Sequence, residues 1–405
     1  MNSFNNNTSQ QSNDLLYIDD VEITINDGLW RLDYVIHDGT DKNPIFFEVQ
    51  LPSSLKASKL TAPIPTGEVA LLSTIMPAMK SGKSIENVPY IADDTFQDNI
   101  AKAQRILIDW FSYSFVAITH DKNNKIKPQL LKKNGLHAMF FSSGVDSWHT
   151  LIEMKADINA LIAVNGFDVP LSSPEAWELV SDKLSQAARK LDLPLITVKT
   201  NLRDFSDKYV CWDHYHGSAL GAVAAVLSPI ISTVYISSSF TFEKLYPYGS
   251  HPKLDVLWSA TGRRLIHYGC HANRIEKTKI LVNNKIAREY LRVCWRAPEK
   301  YNCSNCQKCT ITMLGIELHG QLKNTPSFMD SDLVELTKKY ANFNDSAPAI
   351  YFNELINSFR KQDPKSKILA ELLMAKKKQR IERFLNRIHL GLGLKKLFKR
   401  TLFLK

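Results

Sequence analysis

Between residues 134 and 270, short apolar runs alternate with segments of helical periodicity, and this alternation is the tightest constraint on the fold. Leu136–Phe141, Ala160–Val164, Pro194–Val198, Thr233–Ile236 and Arg264–Tyr268 read as five strands. Helices are expected around Ser147–Lys155, from Pro174 to about Leu191, and over 214–227. Ser173 is the expected N-cap of the second of these, with Pro174 at its first position. Strands separated by whole helices pair in parallel, and a parallel sheet needs helices on both faces. The reading is an α/β domain whose ligands bind beyond the carboxyl ends of the strands.

The flanks read differently. Residues 1–14 form a polar tail with neither a basic nor an apolar signal region. Residues 15–130 hold short strand-like runs (VEITIN, LDYVIHD, PIFFEV), a helix over 67–81 interrupted at Pro77, and a second helix over 95–112. They are expected to form an α+β accessory domain. Residues 131–325 would be the nucleotide-binding domain, and 326–405 a helical region with a basic tail. The chain carries 51 Lys+Arg and 41 Asp+Glu; 15 and 3 of these fall in 359–405, which leaves 36 and 38 for the body. The body is therefore no basic nucleic-acid binder, and the positive charge belongs to the tail. No apolar run reaches the roughly 18 residues of a membrane span, and the expected location is cytoplasmic.

Two stretches carry chemistry. The first is Phe140-Phe141-Ser142-Ser143-Gly144-Val145-Asp146-Ser147, which joins the first strand to its helix. Small residues let backbone approach a ligand, and a helix start offers unpaired N–H groups and a positive dipole end, which suits phosphate. Ser142, Ser143 and Ser147 add hydroxyls, and Asp146 is placed to hold Mg²⁺ against phosphate oxygens. The Walker A spacing is absent. The second stretch is Cys294, Cys303, Cys306 and Cys309, spaced C-x8-C-x2-C-x2-C. Four thiolates suit a closed tetrahedral Zn²⁺ site; a [4Fe–4S] cluster is the alternative. Cys211 and Cys270 read as ordinary thiols.

Taken together, the loop and the four cysteines resemble the PP-loop ATP pyrophosphatases, and among them the 7-cyano-7-deazaguanine synthases and their bacterial relatives with an added N-terminal domain. The resemblance covers about 134–320. It rests on Ser142–Ser147, on the cysteine spacing, and on Thr200-Asn201-Leu202-Arg203, His216-Gly217-Ser218-Ala219-Leu220, Gly249-Ser250-His251-Pro252-Lys253-Leu254-Asp255 and Arg274-Ile275-Glu276-Lys277. It implies that Ser142, Ser143, Gly144, Val145, Asp146 and Ser147 bind the pyrophosphate of ATP. It further implies a structural zinc and transfer of AMP to a carboxylate or amide oxygen, with ammonia or an amine completing the reaction. Homodimers occur among such relatives. The synthases' Pro-Asp-Cys-Arg type substrate motif is replaced here by Ser237-Ser238-Ser239-Phe240, so the acceptor acid is not named by the resemblance.

Other residues suit the same work. Lys277 and Arg274 would neutralise the leaving pyrophosphate, or else form a solvated helix face. His216 and His251 would move protons or bind substrate, with Asp255 placed to orient His251 and Ser250 beside it. Asn201 and Arg203 follow the third strand on the ligand edge. In the tail, Lys376–Lys378 with Arg380 and Lys395–Arg400 alternate with apolar residues at helical spacing, broken near Gly391 and Gly393. Such a helix suits an anionic membrane surface on its cytoplasmic side, nucleic acid, or simple packing on the body. A second functional class also fits: a scaffold that binds nucleotide without turnover.

Overall fold

The computed structural model describes residues 14–26, 28–55, 63–121, 135–294 and 300–389. Residues 1–13 of the polar tail and the 395–400 basic cluster, with Gly391 and Gly393, lie outside them. The described strands are β1 (Leu15–Asn26), β2 (Leu29–Asp38), β3 (Asp41–Gln50), β4 (Ser84–Val88), β5 (Ile118–His120), β6 (Leu136–Phe140), β7 (Ala160–Asn165), β8 (Leu195–Thr200), β9 (Ile231–Ser237) and β10 (Arg264–Tyr268). They form one sheet in the order β10-β9-β6-β7-β8-β3-β2-β1-β4-β5. The helices of the first half are α1 (Thr66–Ser81), α2 (Asp94–Phe111), α3 (Val145–Glu153), α4 (Pro174–Leu191), α5 (Leu202–Ser206), α6 (Trp212–Leu227) and α7 (Pro252–Asp255). After them come α8 (Arg274–Val282), α9 (Lys285–Tyr290), α10 (Gln307–Glu317), α11 (Leu333–Tyr340), α12 (Ser346–Gln362) and α13 (Lys367–His389). The protein is α/β, with a mostly parallel sheet.

All five expected strands of 134–270 are present and pair in parallel with one another. Their spatial order, β8-β7-β6-β9-β10, runs outward from β6 in one direction and then restarts on its other side. That reversal opens a crevice between the carboxyl ends of β6 and β9, the topological switch point of a doubly wound sheet. Five successive residues of β7 are buried or nearly so, and successive side chains point to opposite faces, so both faces are covered there. On β2 burial alternates strictly, with Trp30, Leu32, Tyr34 and Ile36 inward.

The domain division differs from the sequence expectation. Residues 15–130 do not stand apart. β3 pairs antiparallel with β8 (Phe47↔Thr200, Glu48↔Lys199, Val49↔Val198, Gln50↔Thr197), so the N-terminal strands extend the parallel sheet of 134–270. The chain instead divides into compact units at Met1–His271 and Ala272–Lys405, within the segment expected to be one domain. One hydrophobic core runs from Leu16 to Leu265 in the first unit, and another from Ile275 to Leu372 in the second. Backbone pairing across β3 and β8 cannot be read from either strand's own pattern.

α1 shows how the two halves of the first unit lock together. Residues Gly67–Met79 are buried without a break, the signature of a helix surrounded by core. The sequence suggests an interruption at Pro77, but the helix continues through it. Proline has no N–H for the carbonyl four residues earlier, so Ser73 O is vacated. The Tyr215 hydroxyl from α6 fills it at 2.9 Å, and Ser218 Oγ donates to Leu72 O at 2.6 Å beside it. Arg263, fully buried, pairs with Glu68 of α1 at 2.7 Å.

In the second unit α13 packs against α11 and α12, with Leu369 and Leu372 buried alongside Phe352, Leu355 and Phe359. Lys376 donates to Asn353 Oδ1 at 2.6 Å, and Gln379 Nε2 donates to Ala341 O at 2.8 Å. Further along, Ile381 and Phe384 are exposed. The start of this helix therefore packs on the unit through Leu369 and Leu372. Among the described residues no helix is long and apolar enough to cross a membrane.

Candidate functional site

The Ser/Gly loop leaves the central strand at the switch point. Phe141 N–H still bonds Ile162 O at 2.8 Å, and the chain turns immediately afterwards. Ser143 sits in the left-handed region, φ +61°, where an L residue costs about 1–2 kcal/mol. Its hydroxyl explains how the strain is tolerated. Trp148 Nε1–H donates to Ser143 Oγ at 3.0 Å, and the Trp148 ring packs edge-on against Phe141 with centroids 5.0 Å apart. Gly144 is the N-cap of α3, in extended conformation and with no capping side chain. The first-turn N–H groups and dipole end of α3 thus carry no side-chain cap.

The expected loop residues divide into two kinds. Ser143 and Ser147 are buried; the Ser147 hydroxyl donates to Gly144 O at 3.0 Å. Val145 is buried and anchors the helix start. Ser142 is exposed, its Oγ accepting from Gly144 N–H at 3.3 Å, and Asp146 is half-buried in the first turn. The least buried side chains of the loop are therefore Ser142 and Asp146.

Of the residues beyond the other strand ends, Asn201 and Arg203 are taken up by the fold. Asn201 Oδ1 accepts from Phe46 N–H at 2.9 Å and its Nδ2 donates to Pro44 O at 2.8 Å, which fastens β3 to β8. Arg203 pairs with Asp207 at 2.8 Å, donates to Phe167 O at 2.9 Å, and lies over the Trp212 ring. Gly166, at the end of β7 with φ +104°, has no room for a Cβ: one built there meets Thr200 O at 1.8 Å.

The histidine motifs do come together. A Cβ on Gly217 would lie 2.0 Å from Gly249 O and 2.9 Å from Asp255 Oδ1, so only glycine lets residues 249–255 settle against α6. Here the sequence reading needs a correction. Asp255 does not bind the His251 ring; Oδ1 accepts the His251 backbone N–H at 3.3 Å. Its Oδ2 takes His267 Nδ1 at 2.7 Å and the Ser250 hydroxyl at 2.6 Å. The His251 ring caps α7, with Nδ1 accepting from Lys253 N–H at 3.0 Å, and packs on Trp110. Burial resists protonation of His267, but the hydrogen bond to Asp255, helped by Cys270, overcomes it and raises the imidazole to about 9. Burial lowers both His251, helped by the charge of His267, and His216, whose Nδ1 faces Trp212 O at 3.0 Å. One charged and two neutral imidazoles therefore share this corner at neutral pH. His267 was missed in the sequence because it lies inside a strand; its place at the carboxyl end of the fifth expected strand was the available signal.

In the second unit the four cysteines converge. Cys294 Sγ lies 4.0 Å from Cys306 Sγ, and Cys303 Sγ 3.8 Å from Cys309 Sγ. All four sulfurs fall within 4.8 Å of one another. A tetrahedral ion with 2.3 Å bonds to sulfur separates its ligands by about 3.8 Å. In a [4Fe–4S] cubane each thiolate sits on a different iron, which spreads the sulfurs more widely. Asn302 ties the loop: its Oδ1 accepts from Val293 and Cys294 N–H, and its Nδ2 donates to Leu291 O and Ser327 O. Asn305 N–H points at Cys303 Sγ, and Cys309 N–H at Cys306 Sγ. Hydrogen bonds from the other thiols, Cys309 first, pull Cys306 down to about 5. Burial, first of several causes, pushes Cys303 up to about 11, and the bond to Cys306 pushes Cys309 upward. Four thiolates this close would repel one another, and a cation would hold them together.

Lys277 and Arg274 lie in the first turn of α8, where Asn273 and Glu276 form a capping box. The solvated-face alternative fails for Lys277, which is 1% exposed. Arg274 lies over Tyr351, and its backbone N–H donates to Glu354 Oε2 at 3.1 Å. Burial raises the Glu354 carboxyl against that bond and the charges of Arg274 and Lys277.

No protein-family model matches the chain, and no curated protein or solved structure does either.

Proposed function

We propose that the protein is an ATP-dependent, adenylate-forming enzyme of the PP-loop type. It would activate a carboxylate or amide oxygen with release of pyrophosphate, for attack by ammonia or an amine. The observation that carries this reading is the loop of residues 141–147. It leaves the central strand at the switch point, turns through a strained serine locked by Trp148, and ends at a helix start without a side-chain cap. A loop so placed offers N–H groups and a dipole end to phosphate, with Ser142 and Asp146 its least buried side chains. Asp146 would hold Mg²⁺ against phosphate oxygens. The neutral His251 and His216, near the charged His267, would suit proton transfer around an acceptor.

Zn²⁺ at Cys294, Cys303, Cys306 and Cys309 belongs to the same proposal. A closed four-thiolate site supplies folding free energy to the second unit and no reacting group.

The test is direct. Incubation with ATP, Mg²⁺ and a panel of small acids should release pyrophosphate and AMP, and Asp146→Ala should abolish both. ADP and phosphate as products would remove the adenylation reading. Tight ATP binding with no pyrophosphate across the panel would favour the scaffold instead.

A further inference from the structure

A second cluster of ligand-type side chains sits in the first unit, on the helix that the Ser/Gly loop starts. His149 and Glu153 are four residues apart on α3 and so face the same side. Gly269, with φ +101°, turns the chain sharply after β10 and delivers His271 to the same place. Glu153 Oε2 lies 3.3 Å from His149 Nε2 and 2.9 Å from His271 Nε2. The two imidazole rings stand 5.4 Å apart, inclined at 43°. The Tyr268 hydroxyl donates to the same Glu153 oxygen at 3.0 Å.

Three groups converging on one carboxylate oxygen exceed its two lone pairs. An ion pair with a single histidine accounts for one of these contacts, not for the set. A small cation at the centre accounts for all of them. Bonds of 2.0–2.2 Å at tetrahedral angles separate ligand atoms by about 3.4 Å, close to the spacings here. The Tyr268 hydroxyl would then do what the outer partner of a metal-binding carboxylate does, fixing which oxygen faces the ion. We propose that His149, Glu153 and His271 form a divalent transition-metal site, of the kind that takes Zn²⁺ or Co²⁺. Two imidazoles and one carboxylate select this class over Mg²⁺ or Ca²⁺, which prefer all-oxygen shells. Three protein ligands leave a fourth position for water or an incoming ligand, unlike the closed cysteine cluster. His149 is fully buried, while the His271 side chain is 49% exposed, so the open position faces solvent on the His271 side.

The site does not depend on the nucleotide reading, and metal alone tests it. Full-length protein, dialysed against chelator under reducing conditions, is titrated with Co²⁺. Two equivalents are expected. One shows intense thiolate-to-cobalt absorption from the cysteine cluster, and the other only weak ligand-field bands. His271→Ala, at a half-exposed side chain, should lose the weak-banded equivalent and keep the thiolate bands, with its metal-free thermal unfolding little changed. Glu153→Gln, which retains a partner for Tyr268, should weaken the same equivalent at least tenfold. Saturation of the wild type at the thiolate equivalent alone would overturn the proposal, as would a weak-banded equivalent that survives both substitutions. Missing thiolate bands with the weak-banded equivalent kept would instead count against the cysteine cluster and leave this site standing.

Discussion

The Ser/Gly loop of the first unit and the cysteine loop of the second are built on the same local device and secured by different means. Each places a buried serine in the left-handed region just before a helix: Ser143 at φ +61° and Ser304 at φ +54°. Each serine hydroxyl accepts a hydrogen bond, from Trp148 Nε1–H at 3.0 Å and from Met329 N–H at 2.9 Å respectively. The first loop is then held by the packing of Phe141, Val145 and Trp148, all buried. The second has four sulfurs crowded within 4.8 Å, which as thiolates would repel unless a cation held them. Packing secures one loop, and a bound cation would secure the other.

The largest effect should come from removing that cation. If the proposed Zn²⁺ occupies the cluster, Cys306→Ser is expected to abolish its binding and to cost about 5 kcal/mol or more, since structural zinc contributes roughly 10–16 kcal/mol in isolated zinc peptides. Hydrogen exchange should rise over 300–317 and stay unchanged over 136–165. Equal loss of protection in both regions would break the contrast.

Next is the core of the first unit. Glu68→Ala leaves the Arg263 cation buried without its partner, and such losses cost about 3–5 kcal/mol. The urea midpoint should fall, with metal content unchanged. A loss under 1 kcal/mol would mean that Arg263 finds another partner.

A pH profile sharpens the same unit further. His267 is raised from 6.5 to about 9 in the folded state. Its pair with Asp255 therefore stabilises fully below pH 6.5, and that contribution fades as pH rises to 9. At about 1.4 kcal/mol per unit the loss approaches 3 kcal/mol. His267→Gln should flatten this slope between pH 6.5 and 9; an unchanged slope would assign it elsewhere.

The smallest effect concerns the strained serines. Ser143→Gly loses the Trp148 acceptor but relieves the left-handed strain, whereas Ser143→Ala loses the acceptor and keeps the strain. The glycine variant should be more stable than the alanine variant by about 1 kcal/mol. The same order is expected at Ser304. Equal melts for the two variants would show that the backbone there is unstrained.

Patterning along the sequence determined a good deal. The five strands of 134–270 and their helices follow from local periodicity, because each run must bury its own apolar face whatever its neighbours do. The Ser142–Ser147 loop and the cysteine spacing were legible for the same reason: their chemistry depends on residues close together in the chain. The continuity of β3 with β8 was not legible, since strand pairing is a backbone contact between segments about 150 residues apart. Nor was the fate of Asn201, which looked like a ligand residue and serves to fasten that pairing. Asp255 was seen, but its partner His267 was not, and His149 with Glu153 acquires meaning only when the turn after β10 brings His271 beside them. Charge and ligand geometry are set by which side chains share a small volume. Only the tertiary structure decides that.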